Sequence, residues 1–513
     1  MMRLDSKHRT FTPLILALLL LSSISPACSR CSSDAKKGRQ HDPQKRTEII
    51  RKRPQEIKVD LPKSRGVVLI VIDAMRADRF GCYGYDRPTT PSIDALAKEG
   101  VVFDAFHAAS PWTAPSVATI MTGVPPSIHR CGRAPRIIGE KQQVIAIEAN
   151  LPTVASLLPD GVRTGAVVNN NFLDPSLGFS KGFDSYDYQI VTPSSERGAA
   201  GTTDAAISWL EKNKDAPFFL YIHYCDPHMP YGPPEKYVAQ FAPKERPVAI
   251  DVPFTSLVKA RVRGFTYDSP EAVYLRALYD GEVRYTDDEI GRLFSRMREL
   301  GLMDDTWVVV TADHGEEHFD HGGFEHGHRY EEEVIRVPLV VRAPGGAWHA
   351  GTRVPFNASH VDLAPTLLAM LGVPAPSHFE GMSLAALMTG AEHAHREAGA
   401  EYNLFFDNSF AYMDGTYKFI MNLDRHTAFM YDLAADPKER TRLRSDHPQF
   451  AAVRDRAMSL HVDWRQKARR SIAKNASLSD EARGALEALG YFEKSPEDAK
   501  KSQLRMPKPL LNL

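Results

Sequence analysis

The sequence has few cysteines for its length. Five cysteines occur among 513 residues, far fewer than disulfide-built scaffolds use, and the odd number leaves at least one without a partner in the chain. Disulfides therefore do not define the fold. At about 150 residues per domain, the length predicts one large domain or two to three smaller ones, with ample core volume.

The chain carries no excess of charge of either sign. Its 63 lysines and arginines balance 64 aspartates and glutamates, which gives a formal net charge of −1. Nucleic-acid-binding proteins usually present a strongly basic surface, so we expect no nucleic-acid partner. Hydrophobic residues at 43% and charged residues at 25% are ordinary for a soluble globular protein, which argues against global disorder and against a polytopic membrane protein.

Long apolar runs are also scarce. Residues 13–21 form an apolar run after a basic segment, and small residues then lead to Ala27 and Cys28. The run is shorter than the roughly 20 residues that a membrane-spanning helix needs. A basic segment, a short apolar run and small residues in this order are typical of an export signal, so we expect residues 1–27 to be a signal peptide.

Cys28 resembles the lipid-attachment cysteine of bacterial lipoproteins, although Ser25 stands where an aliphatic residue is usual. We therefore expect an exported, periplasm-facing lipoprotein of the bacterial cell envelope, associated with the membrane through an N-terminal lipid anchor. Ordinary secretion after cleavage and an uncleaved anchor are the alternatives.

Continuous aliphatic runs of strand length recur from residue 67 onward. The first, residues 67–72, ends at Asp73, and such runs are typical of parallel strands buried on both faces. Segments with helical spacing lie between them, including 92–99, 202–212 and about 270–300. The other runs are 165–168, 218–222, 308–310 and 338–341. This alternation predicts an α/β fold with a large, mostly parallel sheet flanked by helices.

The composition changes at both ends of this α/β segment. Residues 28–64 are rich in Lys, Arg, Gln, Asp and Pro, as a flexible, solvated tether is, and 494–513 has the composition of a flexible tail. Past residue 388, strand patterns flank a tight turn at Asp414 and Gly415. We expect a main domain over 65–388 and a C-terminal α+β subdomain with a smaller antiparallel sheet over 389–493.

Polar residues follow two of the aliphatic runs. Asp73 ends the first run, and Asp313 and His314 follow the run at 308–310. Ligands of open α/β sheets bind beyond the carboxyl ends of the strands, and carboxylate and imidazole groups are competent ligands of a divalent metal ion. On its own, a strand-terminal aspartate is more often a turn or helix-cap residue.

A short helix is predicted between Pro115, near its start, and Gly123, just past its end. This places Thr113 at or near the N-cap, where a threonine is ordinarily a capping residue. The alternative is a nucleophile, because the dipole and free N–H groups of a helix N-terminus stabilise an alkoxide and bind an anionic ester. The residues alone leave both roles open.

Further motifs occur in order along the chain, such as Asp226-Pro227-His228-Met229-Pro230-Tyr231. They lie at 71–78, 81–85, 110–123, 226–231, 279–287, 311–316, 321–322, 330–332, 336–339, 360–366, 431–433 and 487–491. Together they resemble the sulfatase family of the alkaline phosphatase superfamily over most of residues 66–490. The resemblance implies an alkaline-phosphatase-like sandwich and makes 65–388 a sulfatase-like catalytic domain.

The resemblance also implies roles for individual residues. Asp73, Asp313 and His314 match metal ligands, and Thr113 stands at the position of the family's nucleophile, which also touches the metal. His228 matches a histidine near the leaving group.

Three further positions follow from the same resemblance. His326 occupies a place where sulfatases often have a lysine that contacts the transferred group. Asn169 or Asn170 lies roughly where another anion-contacting residue falls. The His-rich loop around His326 also contains His318, His321 and His328, which we expect at the surface or behind the ligands.

Two departures from the family pattern bear on the chemistry. Sulfatases normally carry Cys-x-Pro-Ser-Arg, whose cysteine becomes formylglycine, but the two end positions here are Thr113 and Val117. No formylglycine can form. Ala74 stands where many sulfatases have a second acidic metal ligand. We expect one divalent metal ion, for which Ca²⁺, Mn²⁺ and Zn²⁺ stay open, and the carboxylate-plus-imidazole set favours Mn²⁺ or Zn²⁺.

We therefore expect a metal-dependent hydrolase of sulfate or phosphate esters, whose Thr113 forms a covalent intermediate. Phosphoesters are favoured, because water resolves a threonine phosphoryl ester by in-line attack on phosphorus. The substrate is an anionic ester in a glycan, a lipid or a small molecule. Two alternatives stay open: a phosphoryl-group transferase that modifies envelope lipids or glycans, and a sulfatase-fold binding protein without turnover.

Overall fold

A computed structural model describes residues 57–132, 136–138, 141–143, 145–190, 198–251, 264–404, 408–468 and 480–488. The predicted signal peptide, Cys28, the tether up to residue 56 and the tail at 494–513 lie outside the described residues. Within the described part, no helix is long and apolar enough to cross a membrane.

Strands and helices alternate along most of the chain. The strands are β1 (Gly66–Ile72), β2 (Val101–Phe103), β3 (Phe106–His107), β4 (Arg136–Ile138), β5 (Lys141–Gln143), β6 (Arg163–Val168), β7 (Ser185–Tyr188), β8 (Phe218–Tyr224), β9 (Thr306–Ala312), β10 (Glu317–His318), β11 (Phe324–Glu325), β12 (Leu339–Arg342), β13 (Thr352–Val354), β14 (Ala358–Ser359), β15 (Ala398–Glu401), β16 (Ser409–Met413), β17 (Tyr417–Asn422) and β18 (Thr427–Asp432). The α-helices are α1 (Pro91–Lys98), α2 (Thr113–Thr122), α3 (Pro126–His129), α4 (Gly198–Asn213), α5 (Glu235–Phe241), α6 (Pro270–Glu299), α7 (Glu332–Ile335), α8 (Leu363–Met370), α9 (Ala385–Met388), α10 (Phe450–Ala468) and α11 (Asp480–Ala488).

Eight strands form one large sheet in the order β13-β2-β12-β9-β1-β8-β6-β7. Its centre is parallel and in register, with Ile70 of β1 between Ile222 of β8 and Val310 of β9. Of these eight strands, β12 alone runs antiparallel to its neighbours, β2 and β9. Every residue of β1, β8 and β9 is buried. The predicted α/β fold with a mostly parallel sheet is therefore confirmed.

Helices cover this sheet. α4 packs on β6 and β8, and the long helix α6 packs against α1, α4 and α5. Ser269 caps α6, since its side chain accepts a hydrogen bond from the N–H of Ala272 at 3.3 Å, and Pro270 occupies the first helical position, where no N–H is needed. The helix predicted for about 270–300 is thus present, with the start that its sequence dictates.

The C-terminal part forms the predicted smaller antiparallel sheet, in the order β15-β16-β17-β18. β16 and β17 are joined by a tight turn in which Oδ1 of Asp414 accepts the N–H groups of Thr416 and Tyr417. Gly415 has a φ of 91°, a conformation that glycine adopts at little cost. Side chains of this sheet pack with Trp464 of α10 in a second hydrophobic core. The predicted boundary near residue 388 falls between α9 and β15.

Candidate active site

Four neighbouring parallel strands end at one edge of the large sheet. Asp73 follows β1, and Asp313 follows β9, whose last residue lies beside the last residue of β1. His223 lies in β8, and Asn170 comes two residues after β6. All four side chains are buried, with at most 6% exposed. The sheet topology therefore brings two carboxylates, an imidazole and an amide together at the crevice where open α/β sheets bind ligands.

Each aspartate uses one oxygen as an anchor and leaves the other bare. Oδ2 of Asp73 accepts a hydrogen bond from Nδ2 of Asn170 and lies 3.3 Å from Nε2 of His223. Oδ1 of Asp313 accepts the backbone N–H groups of His314, at 2.8 Å, and of Ala74, at 3.2 Å. The other oxygens, Oδ1 of Asp73 and Oδ2 of Asp313, are buried and have no hydrogen-bond partner among the described residues.

His314 points a lone pair at these bare oxygens. Its Nδ1 lies 2.8 Å from the carbonyl oxygen of Gly315, which only accepts hydrogen bonds, so Nδ1 carries the proton and Nε2 does not. Nε2 lies 3.4 Å from Oδ1 of Asp73 and 3.5 Å from Oδ2 of Asp313. Three electron-rich atoms therefore face one another in a buried space, with the imidazole proton on the far side of the ring. This arrangement fits a divalent cation.

The charges of the site fit the same conclusion. Burial lowers the pKa of His314 to about 4, which keeps the imidazole neutral at pH 7. Burial and the charge of Asp73 raise the pKa of Asp313 to about 8. Burial opposes ionisation of Asp73 as well, but His228, His223 and His314 hold its pKa below the usual range. Without a cation the pair thus tends to keep one proton, and a bound cation would favour both carboxylates in ionised form.

His223 was not predicted from the sequence. Asp73, His223 and Asp313 each offer one ligand atom, and these atoms lie within 4.8 Å of one another. Nδ1 of His223 lies 2.9 Å from the hydroxyl of Tyr221. The one hint in the sequence is a histidine inside a strand that is otherwise apolar and aromatic. The described donor set thus contains two carboxylates and two imidazoles, His314 and His223.

Thr113 is the first residue of α2, and Trp112 occupies the N-cap without a capping side-chain bond. The side chain of Thr113 is only 2% exposed, and its Oγ1 lies 3.2 Å from Nε2 of His314. The capping interpretation of this threonine is therefore wrong, since the hydroxyl faces the metal-ligand candidates instead. The free N–H groups and positive dipole end of α2 lie at the same place.

His228 and His326 border the same space. The ring of His326 lies 4.2 Å from the ring of His314 and 5.0 Å from the ring of His228. Nδ1 of His326 is 2.9 Å from Oε1 of the fully buried Glu316. Nδ1 of His228 is 2.6 Å from the carbonyl oxygen of Met229. The three residues predicted to be catalytic, Thr113, His228 and His326, thus gather around His314.

The two asparagines differ in their surroundings. Asn170 orients Asp73 with its Nδ2, and its Oδ1 accepts the N–H of Phe172 at 2.7 Å, so both ends of its amide are engaged. Asn169 is fully buried, and neither end of its amide makes a hydrogen bond within the described part of the chain.

The other histidines of the loop bind partners of their own. His318 lies 3.0 Å from the hydroxyl of Tyr231, His321 2.6 Å from Glu333 and His328 2.9 Å from Glu317. None of the three side chains lies at the surface as an exposed group, since their exposed fractions are 0% for His318, 11% for His321 and 9% for His328.

Comparison with known proteins decides the family. The family model named Sulfatase matches residues 65–373, which is more than half of the chain. This chain belongs to the sulfatase family. A second model, N-sulphoglucosamine sulphohydrolase, C-terminal, matches residues 319–466. Among curated relatives, the multifunctional alkaline phosphatase superfamily protein PehA of Trinickia caryophylli is 26% identical over 495 residues, which cover 78% of this chain and 95% of that protein.

Solved structures share the fold of this chain. The phosphonate monoester hydrolase of Agrobacterium radiobacter superposes with a TM-score of 0.62 at 22% identity, covering 78% of this chain and 96% of that one. A protein solved with its substrate D-glucosamine-2-N,6-O-disulfate superposes with a TM-score of 0.62 at 21% identity, covering 80% of this chain and 98% of that one. The alkaline-phosphatase-like architecture is therefore confirmed, and the chain is a sulfatase-family ester hydrolase.

Proposed function

We propose that this sulfatase-family hydrolase uses Thr113 as its nucleophile, forms a covalent ester with the transferred group and turns over phosphoesters faster than sulfate esters. One observation carries the proposal. The buried Oγ1 of Thr113, in the first turn of α2, lies 3.2 Å from Nε2 of His314, which itself faces the bare oxygens of Asp73 and Asp313.

Asp73, Asp313 and His314 would hold a divalent metal ion, and His223 is a fourth donor within reach. When bound, such an ion supplies positive charge that favours the alkoxide form of a neighbouring hydroxyl and offsets charge on the transferred group. The N-terminus of α2 adds N–H donors and a positive dipole end on the same side.

The proposed reaction has two steps. In the first, Oγ1 of Thr113 forms a bond to phosphorus while the bond from phosphorus to the leaving oxygen breaks. His228 gives a proton to the leaving oxygen, and His326 contacts the transferred group. The hydroxyl proton of Thr113 passes to solvent in this step. In the second step, water attacks phosphorus, the bond to Oγ1 breaks, one proton of that water goes to Oγ1 of Thr113, and His228 takes a proton back from solvent.

The preference for phosphorus follows from the nucleophile. A formylglycine hydrate expels sulfate by elimination, a route that is closed to threonine at position 113. A threonine sulfate ester would need a second attack at sulfur, whereas in-line attack on a phosphoryl group is ordinary enzyme chemistry. One structural neighbour is a phosphonate monoester hydrolase, which supports a phosphorus ester as the substrate. The disulfated glucosamine bound to another keeps sulfated saccharides among the candidate anionic substrates.

The test is turnover by purified residues 32–513 of phosphonate monoesters, phosphate mono- and diesters, and aryl and saccharide sulfates, with Mn²⁺, Zn²⁺ and Ca²⁺ varied. We expect a phosphorus ester to be turned over faster than its matched sulfate ester. Repeated turnover of a sulfate ester with all phosphoesters inert would overturn the mechanism and leave the family assignment intact.

We also propose that the enzyme is exported and anchored in the bacterial cell envelope through lipid on Cys28. The order of basic segment, apolar run, small residues and cysteine in residues 1–28 supports this location.

A further inference from the structure

The loop that carries His326 is fastened to the C-terminal subdomain. We call residues 315–331, which follow His314, the histidine loop. The bonds between the C-terminal segment and this loop include Leu404 N to Gly327 O at 2.8 Å, Tyr330 Oη to Ser409 O at 3.1 Å, Lys418 Nζ to Tyr330 O at 2.9 Å, His321 Nε2 to Glu439 O at 3.0 Å and Tyr431 Oη to Glu331 Oε1 at 3.3 Å. Four of these five bonds involve residues 327–331, in the half of the loop that contains His326.

Lys418 is the centre of this attachment. Its side chain, on β17, is fully buried, and Nζ lies 2.9 Å from the carbonyl oxygen of Tyr330 and 2.7 Å from both Glu332 and Glu439. The buried ammonium group thus donates a hydrogen bond to the carbonyl oxygen of Tyr330 and forms ion pairs with the two carboxylates. Without it, the carboxylates of the partly exposed Glu332 and the buried Glu439 would lie close together with no lysine between them.

The attachment continues from Lys418 to the site. Tyr330 lies four residues after His326, and Gly327, the residue next to His326, is bonded from two sides. Its carbonyl oxygen accepts the N–H of Leu404, and its own N–H donates to the carbonyl oxygen of Pro111 at 2.8 Å, two residues before Thr113. The backbone around His326 is therefore fixed between the nucleophile segment and the C-terminal sheet.

We propose that Lys418 is a positioning residue for catalysis. By holding Tyr330 and α7 against β17, it keeps the histidine loop in the place where the imidazole of His326 contacts the transferred group. The contacts of Lys418 run to Tyr330, Glu332 and Glu439, so its influence on the reaction passes through the loop. This inference rests on the proposed function of His326.

A double-mutant cycle tests the proposal. Lys418→Met, His326→Ala and the double variant are compared with the wild type on the best phosphoester, with kcat and KM measured separately. We expect Lys418→Met to lower kcat by about tenfold or more in the wild-type background and by less than about twofold in the His326→Ala background, because coupled residues are not additive. The matched control is Lys467→Met, which removes another ion-paired lysine, bonded to Glu380 and Asp463, and should leave kcat unchanged.

The outcomes separate the two claims. An equal loss of kcat in both backgrounds would overturn the positioning role of Lys418. A His326→Ala variant with wild-type kcat would instead contradict the proposed function of His326. If Lys418→Met does not fold, Glu439→Gln removes the charge of one of the two carboxylates that hold Lys418 in place. It should then lower kcat by roughly threefold in the wild-type background alone, and additivity with His326→Ala would count against the proposal.

Discussion

Nε2 of His314 lies 3.4 Å from Oδ1 of Asp73, and neither atom carries a proton. The imidazole proton is on Nδ1, where it binds the carbonyl oxygen of Gly315, and neighbouring histidines keep the pKa of Asp73 below its usual range. Two lone pairs facing each other in a buried site repel unless a positive charge lies between them. This relationship is the strongest structural argument that the site is built for a metal ion.

The first prediction concerns the pair of carboxylates. An asparagine at position 313 can still accept the N–H groups of Ala74 and His314. It also removes a carboxyl group that is unfavourable to ionise, since burial and the charge of Asp73 raise the pKa of Asp313 to about 8. In the metal-free protein, Asp313→Asn should therefore raise the melting temperature by about 1–2 °C, as a gain of about 1 kcal/mol does in a protein of this length. With Mn²⁺ added, the wild type should be the more stable protein. A variant that keeps its full metal content would contradict the ligand assignment.

The second prediction concerns His223. Its Nε2 lies 3.3 Å from the anchored oxygen of Asp73, so it either binds the metal ion itself or holds a ligand in place. His223→Gln should weaken Mn²⁺ binding by about 10- to 100-fold in calorimetric titrations. Tyr221→Phe, which removes only the hydroxyl next to Nδ1, should weaken it less. Unchanged affinity in His223→Gln would show that this histidine has no part in the metal site.

The third prediction is a pH dependence of stability. Burial lowers the pKa of His321, but the hydrogen bond and charge of Glu333 raise it to about 9. Because the pKa of His321 is higher in the folded state, the protonated side chain stabilises the folded protein. This stabilisation is complete at pH values below the unfolded-state pKa of about 6.5 and is lost as the pH rises through about 9. In chemical unfolding, the loss of stability from pH 6 to pH 9.5 should be larger by about 1–3 kcal/mol in the wild type than in His321→Gln. Parallel pH profiles of the two proteins would refute it.

The fourth prediction concerns the N-terminus. If Cys28 carries lipid, cells that express the full chain should incorporate labelled fatty acid into the protein, and Cys28→Ser should abolish the label. Equal labelling of both proteins would rule out attachment at this cysteine.

The sequence predicts the sheet and part of the site for a physical reason. Aliphatic runs identify buried strands, and parallel strands end at one edge, so Asp73 and Asp313 were expected to meet. The role of Thr113 does not follow from its local sequence. A capping and a nucleophilic threonine differ in whether the hydroxyl contacts His314, which lies 201 residues further along the chain.

His223 and Lys418 show what sequence patterns leave out. A single histidine inside β8 forms no sequence pattern. The role of His223 depends on the strand register that places it beside Asp73. In the sequence, Lys418 is one lysine in a strand, where an exposed side chain is usual. Its burial in the structure depends on contacts with Tyr330, 88 residues away, and with Glu332. Both depend on tertiary packing that overrides local preference.

The central claim is that Thr113 is the nucleophile, and the most direct test is kcat of Thr113→Ala on the best phosphoester, with metal content and folding verified. Loss of the covalent route should lower kcat by at least about 10³-fold, while Thr113→Ser, which keeps a hydroxyl, should retain part of the activity. A kcat for Thr113→Ala within about tenfold of the wild type would contradict the account.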